Sequence, residues 1–395
     1  MKIFIRDTIN ILPLTEVSRK EYFMIKYGII GIGNCGGQIV NLASKEMKID
    51  GIAINTSDQD LSEVAADTVK TYLIGDKKGA GQSRTRAKKY LKSDIREITE
   101  SEDFTKFISG LELIYVVSST GGGTGSGIAP LLYHMISQLV SVPVILIGVL
   151  PTIGEDKGVQ ENTAKYLKEL YEVLDGAQYM LFDNNKGVNL SSTSMMSTIN
   201  ESIVHDIRVL SGFYNHSTKY ASIDDRDMIT MLSTPGRIVV GSIDEIKEKD
   251  LDTSCIEDRI IEDLKKNYHC ELDRDKICMN TGIITNLSQK LNDSLNMNIP
   301  LIHEFTGEPK GTGFKHIGIA EDESEPNYVY FIASGLSPVN DRIEKVAQRI
   351  HELNEARKDL PKASALDAIE FDDEEDEEKK PGQVNVAEAF KMFGV

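Results

Sequence analysis

The chain has 395 residues, a formal net charge of −18 and 40% hydrophobic residues. This length is sufficient for two domains with hydrophobic cores, and the alternation of apolar runs with strand and helix periods indicates an α/β architecture. The acidic balance argues against direct binding to nucleic-acid phosphates, which requires clustered Lys and Arg.

The cysteines and the N-terminal residues exclude several other classes of protein. Cys35, Cys255, Cys270 and Cys278 have no C-x-x-C spacing, so the sequence supports no zinc site or disulfide framework, and we assign no metal ligands. Residues 1–26 lack the uninterrupted apolar core of a signal peptide, and no apolar run reaches 18 residues. We therefore expect a cytoplasmic protein without a membrane span, and an N-terminal extension that docks on the body or on a neighbouring subunit.

A first glycine turn follows the first predicted strand. Residues 27–33 (YGIIGIG) form a short apolar run, residues 33–38 (GNCGGQ) a turn, and a helix is predicted from about residue 39 to residue 47. Glycines between a strand and a helix allow backbone N–H groups to approach an anion. This segment therefore predicts a phosphate-facing turn.

The same glycines leave a second interpretation open. Residues 31–36 fit the G-x-G-x-x-G fingerprint of dinucleotide-binding oxidoreductases. Such a fold ends its second strand in Asp or Glu, whereas the predicted strand over residues 51–56 ends in Asn55 and Thr56. The sequence therefore disfavours an oxidoreductase, which is kept as a remote alternative.

The most informative segment is the glycine loop over residues 118–127 (SSTGGGTGSG). It follows an apolar run over residues 111–117 and precedes a helix predicted over residues 128–140. Unlike a Walker loop, it ends without a lysine, so the backbone must bind the anion, and we expect a divalent metal as counter-charge. Two such loops favour a mononucleotide whose phosphates are bound from two sides.

The later segments predict a base-reading edge and a second domain. The strand over residues 178–182 ends in Asp183, Asn184 and Asn185, and an amide suits base recognition because it donates and accepts. A short sheet covered by helices is predicted for the second domain. Its strand candidates are residues 237–241, 282–287, 301–305, 316–320 and 328–334, with a helix near residues 255–266.

The C-terminal part combines a helix, an acidic run and an apolar end. Val339, Ile343, Val346, Ile350 and Leu353 recur at helical spacing, which predicts a helix packed on the domain surface. Nine acids between residues 367 and 378 are typical of a solvated flexible tail. The apolar residues of the terminal segment 384–395 indicate a docking peptide, for which we expect an adaptor protein as partner.

Taken in order, these motifs resemble those of the tubulin/FtsZ superfamily over roughly residues 26 to 240. The segment over residues 121–127 (GGGTGSG) is similar to the family's glycine box, and the loops after Pro151 and Phe182 look nearer to archaeal CetZ-like proteins than to typical FtsZ, with phage and plasmid tubulins as alternatives. The resemblance implies GTP or GDP as ligand, with Mg²⁺ bridging the phosphates. The residues that it assigns to phosphate, ribose and guanine are Gly33, Asn34, Cys35, Gly36, Gln38, Asn55, Gly79, Ala80, Gly81, Gly121, Gly122, Gly123, Thr124, Gly125, Glu155, Asn184 (or Asn185) and Asn200.

An acidic motif completes the resemblance. Residues 222–227 (SIDDRD) resemble the family's N-x-D-x-x-D loop, with Ser222 in place of the usual Asn. In that family the loop completes the nucleotide site of the next subunit, so the resemblance implies that Asp224 and Asp227 orient a water molecule for attack on the terminal phosphate.

The resemblance thus implies a GTPase that polymerises head to tail with itself as partner, and a non-hydrolysing structural or regulatory filament protein is the alternative. The predicted divisions are the extension (1–26), a GTP-binding domain (27–192), a central helix (193–212), a C-terminal domain (213–338), a C-terminal helix (339–358) and the acidic tail (359–395).

Overall fold

In a computed structural model of the protein, the described residues are 25–212, 223–246, 256–271, 278–288, 315–320, 326–358 and 390–394. Within them, ten strands form one sheet in the spatial order β3-β2-β1-β4-β5-β6-β7-β10-β8-β9. The strand bounds are β1 Tyr27–Ile32, β2 Gly51–Asn55, β3 Val69–Leu73, β4 Leu113–Ser119, β5 Val144–Leu150, β6 Gln178–Asp183, β7 Gly236–Ile243, β8 Asn280–Asn286, β9 Lys315–Ala320 and β10 Tyr328–Leu336.

Helices connect these strands. A π-helical turn, Glu169–Val173, continues helix α6, and a 3-10 turn, Asn184–Gly187, follows β6. The α-helix bounds are α1 Gly33–Met47, α2 Asp58–Ser62, α3 Arg84–Thr99, α4 Glu102–Ile108, α5 Thr124–Leu139, α6 Lys157–Lys168, α7 Ser192–Leu210, α8 Asp225–Leu232, α9 Ile256–Lys266 and α10 Asn340–Lys358.

The N-terminal half of the sheet is parallel. Strands β3, β2, β1, β4, β5 and β6 all run in the same direction. Every residue of β1 and β5 is buried, because helices cover both faces of the sheet, and this accounts for their continuous apolar sequences. All the loops that follow these strands therefore lie at one edge of the sheet, which we call the carboxyl edge.

The C-terminal half continues the same sheet. β7 pairs with β6 at only two positions, Gln178 with Gly236 and Tyr179 with Arg237, whereas β10 pairs antiparallel with both β7 and β8. The expected short sheet of a second domain is thus joined edge to edge with the first. The division of the chain into domains stays a prediction.

The central helix α7 spans the molecule from one pole to the other. Its 19 residues extend about 28 Å. It begins shortly after β6, at the carboxyl edge. Just beyond its C-terminal end, Ser211 Oγ lies 3.2 Å from the hydroxyl oxygen of Tyr115, near the amino-terminal end of β4. We call that opposite pole the amino edge.

A polar cluster in which Asp206 and His269 are buried ties α7 to the C-terminal half. His205 Nε2 lies 2.8 Å from Asp244 Oδ1, and His269 Nε2 lies 2.7 Å from Asp206 Oδ2. Burial favours the neutral imidazole of His205, yet its hydrogen bonds to Asp206 and Asp244 outweigh this effect and raise its pKa to about 10. His205 is therefore protonated at neutral pH.

Two of the predicted helix starts are wrong, whereas the predicted apolar seam of the late helix is confirmed. α1 begins at Gly33 instead of residue 39, and α5 begins at Thr124 instead of residue 128, since in both cases the glycine turn itself is the first helical turn. The predicted seam of the late helix is confirmed, since Val346 on α10 is buried and so is Val339, directly before its first residue. The strand predicted over residues 301–305, most of the extension and most of the acidic tail lie outside the described residues.

Candidate functional site

Two helix N-termini at the carboxyl edge lack a side-chain cap. α1 begins after Ile32 and α5 after Gly123, and neither residue supplies a capping side chain. Other helices of the same half are capped by a side-chain oxygen, from Ser57, Ser83, Ser101, Asp156 and Ser191. The first amides of α1 and α5, at the positive ends of their helix dipoles, are therefore available to an anion.

The glycines of these two turns allow the loops to touch. Gly33 has a φ of +72°, and a Cβ there would lie 3.0 Å from the amide nitrogen of Gly125. A Cβ at Gly36 would clash with the carbonyl oxygen of Val117, in β4. The two glycine turns are thus neighbours, and glycine is required there because backbone packs directly on backbone.

The loop over residues 78–83, which carries the predicted nucleotide residues Gly79, Ala80 and Gly81, closes over the second glycine turn. A Cβ at Gly123 would lie 2.7 Å from the carbonyl carbon of Gln82 and 2.8 Å from the amide nitrogen of Ser83. Gly79, with a φ of +84°, donates its N–H to the carbonyl of Thr56 at 2.8 Å. Loops 55–57, 78–83 and 121–125 therefore form one structure, which we call the phosphate cradle.

Two residues outside the predicted site hold the cradle together. Asn162, on α6, donates from Nδ2 to the carbonyl oxygens of Gln82 at 2.9 Å and Gly121 at 3.0 Å. The hydroxyl oxygens of Thr56 and Thr124 lie 2.7 Å apart. Nothing local in the sequence marks Asn162, because its partners are about 40 and 80 residues away.

The remaining residues of the first turn have different environments. Asn34 is exposed, and its Oδ1 accepts a hydrogen bond from Gln38 Nε2 at 3.2 Å. Burial raises the pKa of Cys35 to about 12, so its thiol stays neutral and is not a nucleophile.

Asn55 stabilises the loop that follows β2. Its Oδ1 accepts from the amide of Thr56 at 2.7 Å, and its Nδ2 donates to Asp60 Oδ2 at 3.1 Å. Both ends of the carboxamide are engaged within the loop. Asn55 is therefore a positioning residue for the cradle in this structure.

The predicted ribose and base residues follow β5 and β6. Glu155 Oε1 accepts from the amide of Thr152 at 2.9 Å, which fixes the carboxylate beside the end of β5. Asn185 Oδ1 accepts from the amide of Ile153 at 3.0 Å and so links the two loops. Because Asn185 has this structural role, Asn184 is the better candidate for reading a base.

Arg342, which sequence reasoning missed, fixes this corner from α10. Its Nε donates to Asp183 Oδ2 at 2.9 Å, and its Nη2 donates to the carbonyl of Pro151 at 2.6 Å. Both partners lie at the ends of strands β5 and β6. The late helix thereby sets the positions of the loops that carry Glu155 and Asn184.

Asn200 lies on α7 beside the buried Ile199 and is half-buried. The turn that carries Asn184 contacts the first turns of α7, since a Cβ at Gly187 would lie 2.5 Å from Met195 Cγ. The two asparagines thus belong to adjoining elements at the carboxyl edge.

The acidic pair Asp224 and Asp227 caps α8. Asp224 Oδ1 accepts from the amide of Asp227 at 2.8 Å, and the amide of Asp224 donates to Asp227 Oδ2 at 3.3 Å. This reciprocal capping box fixes the orientation of both carboxylates.

The acidic pair lies at the amino edge. Burial raises the pKa of the neighbouring Asp225, and the carboxylates of Glu112 and Asp224 raise it further. Glu112 directly precedes β4 and accepts from the amide of Lys26, directly before β1. The structure therefore separates the acidic pair from the phosphate cradle by the length of the parallel strands.

Comparison with known proteins agrees with this geometry. The family model described as "Tubulin/FtsZ family, GTPase domain" matches residues 26–192, which carry the cradle. Residues 26–192 thus match the GTPase domain of the tubulin/FtsZ family. Both glycine turns lie within the matched residues, and the match leaves the dinucleotide-binding alternative without support.

Archaeal tubulin-like proteins are among the relatives of this chain. CetZ2 of Haloferax volcanii is 28% identical over 232 residues, which cover 55% of this chain and 63% of that protein. CetZ of Pyrococcus abyssi is 30% identical over 166 residues, which cover 40% of this chain and 44% of that protein. The chain thus matches less than two thirds of the length of these relatives.

Solved structures show the same fold. Phage c-st TubZ of Clostridium botulinum superposes with a TM-score of 0.66 at 21% identity, over 84% of this chain and 98% of that one. A GTPγS-bound protofilament of CetZ2 from H. volcanii gives a TM-score of 0.66 at 21% identity, over 85% and 99%. The α/β fold with a long central helix is therefore confirmed.

Across the described ranges, no helix combines the length and the apolar character that crossing a membrane requires. In the same part of the chain, no cluster of three or more His, Cys, Asp or Glu side chains could hold a metal ion.

Proposed function

We propose that the protein binds GTP in the phosphate cradle and hydrolyses it when the acidic pair of a second subunit covers the nucleotide. The observation that carries this proposal is the position of the two half-sites. The cradle lies at the carboxyl edge, while Asp224 and Asp227 lie at the amino edge of the same chain. A head-to-tail arrangement of subunits brings one of each together.

The cradle suits a polyanion. Uncapped amides at the starts of α1 and α5 converge on it, and the loop over residues 121–125 approaches them backbone to backbone. Amide donors bind phosphate oxygens without distinguishing the base, so this part of the site supports a nucleoside diphosphate or triphosphate. Specificity for guanine is proposed for Asn184 and Asn200, and ribose contact for Glu155.

Magnesium fits this site as a phosphate-bound ion. Mg²⁺ commonly binds through substrate phosphates and only one or two protein oxygens, and the paired hydroxyls of Thr56 and Thr124 are such oxygens at the cradle. When bound, the ion would neutralise charge on the transferred phosphate. A site of this kind requires no cluster of protein carboxylates.

The acidic pair supplies the remaining chemistry. Two carboxylates with fixed orientation can accept hydrogen bonds from a water molecule and align it for in-line attack on a terminal phosphate. The capping box holds Asp224 and Asp227 in such fixed positions, at the start of α8. Each subunit would thus provide the acid groups for its neighbour.

Exposed apolar side chains support an interface at the nucleotide pole. Val188, Leu190 and Met196 are 58%, 42% and 53% exposed, and they lie in the segment between Asn184 and Asn200. Large exposed apolar residues close together mark contact surfaces. We infer that this patch packs against the amino edge of the next subunit.

The experiment compares two substitutions of one residue. Asn caps a helix about as well as Asp, so Asp224→Asn keeps α8 stable, while Asp224→Ala loses about 1 kcal/mol of unfolding free energy. We expect wild-type GTP turnover per subunit to rise with protein concentration, and both variants to hydrolyse at least about 100-fold more slowly. Turnover that is independent of concentration, or wild-type rates for Asp224→Asn, would refute the proposal.

The capping box also favours a second candidate, a filament protein that does not hydrolyse GTP. Each carboxylate of the pair accepts a backbone hydrogen bond, and this capping alone explains why aspartates occupy both positions. For that candidate, filaments form with GTP but no phosphate is released, and Asp224→Asn changes neither measurement.

A further inference from the structure

The last described segment of the chain is docked on the body of the same subunit. Residues 390–394 form a short helical turn in which Phe390 is 1% exposed and Phe393 is 6% exposed. Both rings belong to the hydrophobic core that includes residues of α3 and α5. Met392, between them, points outward and is 47% exposed. The turn therefore presents one apolar face to the body and one face to solvent.

α3 and α5 supply polar contacts to this turn. Lys88 Nζ donates to the carbonyl oxygen of Phe393 at 2.7 Å and lies 5.5 Å from the centroid of its ring. Lys92 Nζ lies 5.9 Å from the ring of Phe390, and the His134 ring lies 6.0 Å from that of Phe393. Two lysine ammonium groups, of which the buried one on Lys88 also donates a hydrogen bond, define a receptor for this aromatic turn.

Lys88 is only 6% exposed, so the hydrogen-bond partners of its ammonium group matter. Besides the carbonyl of Phe393, it donates to Glu169 Oε1 at 2.9 Å. A buried ammonium that loses an acceptor must take up water or move. Removal of the terminal turn would therefore disturb the pairing of Glu169.

Glu169 connects this receptor to the phosphate cradle. Its second carboxylate oxygen pairs with Arg84, the first residue of α3. Arg84 Nη1 donates to the carbonyl of Asn162 at 3.0 Å, and the side chain of Asn162 holds the carbonyls of Gln82 and Gly121. An unbroken series of hydrogen bonds thus runs from Phe393 to two loops of the cradle.

We propose that residues 390–394 are an intramolecular ligand of the α3–α5 surface, and that their docking stabilises the cradle and raises its affinity for nucleotide. The 31 residues between Lys358 and Phe390 tether the segment to its own subunit, which gives docking in cis a high effective concentration. The part of this proposal that concerns nucleotide rests on the proposed function, whereas docking itself does not.

Docking is tested on the full-length chain by hydrogen exchange. The amides of Phe393 and Gly394 donate within the turn at 3.1 Å each, so docking should protect them. Phe390→Ala/Phe393→Ala should remove this protection and speed exchange in α3, whereas the matched control Met392→Ala should leave both unchanged. Equal exchange in the wild type and the double variant would overturn docking. Protection that increases with protein concentration would show docking between copies and overturn the cis arrangement.

Coupling is tested by the affinity for a fluorescent GTP analogue. We expect Phe390→Ala/Phe393→Ala to weaken binding by about 2- to 30-fold and Met392→Ala to leave it unchanged. In a Lys88→Met background the double substitution should have no further effect, because the link to Glu169 is already lost. The coupling would be overturned if the effects of Lys88→Met and of the double substitution on nucleotide affinity were fully additive, or if the double substitution left the affinity unchanged.

The two measurements separate this inference from the proposed function. If the wild type binds no guanine nucleotide, the proposed function fails, while hydrogen exchange still decides whether the terminal turn docks. If nucleotide binds and the exchange patterns are identical, only the inference fails.

Discussion

The close approach of two loops at Gly123 gives a sharp test of the phosphate cradle. Gly123 has an ordinary helical φ of −73°, so Gly123→Ala introduces no backbone strain. Its new Cβ would lie 2.7 to 2.8 Å from backbone atoms of Gln82 and Ser83, which no side-chain rotation can relieve. The loops must therefore separate. Overpacking of this kind costs about 1–3 kcal/mol of unfolding free energy.

Because the same approach aims the cradle amides, we expect nucleotide affinity to fall by a matching factor, about 5- to 150-fold. The control is Gly122→Ala, whose Cβ would meet only the rotatable hydroxyl of Ser119, at 3.1 Å. The unfolding free energy of Gly122→Ala should be no more than about 0.5 kcal/mol below that of the wild type. Urea unfolding without nucleotide measures the unfolding free energy, and titration with a fluorescent GTP analogue measures the nucleotide affinity. A Gly123→Ala protein as stable and as tightly binding as the wild type would refute the contact between the loops.

Three further predictions concern residues that hold the site in place. Asn162→Ala should lower the unfolding free energy by about 2 kcal/mol, because the buried carbonyl of Gly121 and the partly buried carbonyl of Gln82 lose their donor. Asn162→Asp, which replaces the donor by an acceptor, should lower it at least as much, and wild-type stability in urea would contradict this. Arg342→Ala should lower the unfolding free energy by about 3–5 kcal/mol, because it leaves the Asp183 carboxylate buried without its partner. The control is Lys345→Ala, on the exposed side of the same helix, which should leave thermal unfolding nearly unchanged. Since the folded-state pKa of His205 is about 10 and its unfolded value is about 6.5, its stabilising effect is complete below pH 6.5 and is lost as the pH rises to 10, with a slope of about 1.4 kcal/mol per pH unit. His205→Gln should remove that slope from urea unfolding curves measured across this range.

Much of the fold could be predicted because its determinants are contiguous in the sequence. The apolar runs that became β1 and β5 are buried on both faces, and continuous hydrophobic sequence is what a covered parallel strand requires. The glycine turns were located for the same reason. Gly33 and Gly125 meet across the cradle, as two turns after neighbouring parallel strands must.

The helix starts were predicted wrongly because tertiary packing overrides local preference. Glycine disfavours a helix interior, so the sequence placed the start of α1 after Gly36 and Gly37. In the fold, Gly36 packs against the carbonyl of Val117, and only a residue without Cβ fits there. The close packing of α1 on β4 therefore outweighs the low helix propensity of glycine in the first turn.

Asn162 and Arg342 could not be predicted, since their partners are far away in the chain. Asn162 lies in an amphipathic helix with no motif, and Arg342 lies within the heptad-like seam of α10. Only the fold shows that they bind the cradle and the ends of β5 and β6. The choice of Asn184 over Asn185 likewise depends on one long-range bond, from the amide of Ile153.

The most direct measurement of the shared site is complementation between two defective subunits. Asp224→Asn keeps an intact cradle and lacks the acidic group, while Gly123→Ala keeps the acidic pair and has a defective cradle. Each is assayed alone and in an equal mixture, at a GTP concentration that the Gly123→Ala subunit does not bind. We expect each variant alone to be nearly inactive and the mixture to release phosphate at a substantial fraction of the wild-type rate. A mixture that co-sediments yet stays inactive would contradict a catalytic site formed by two subunits.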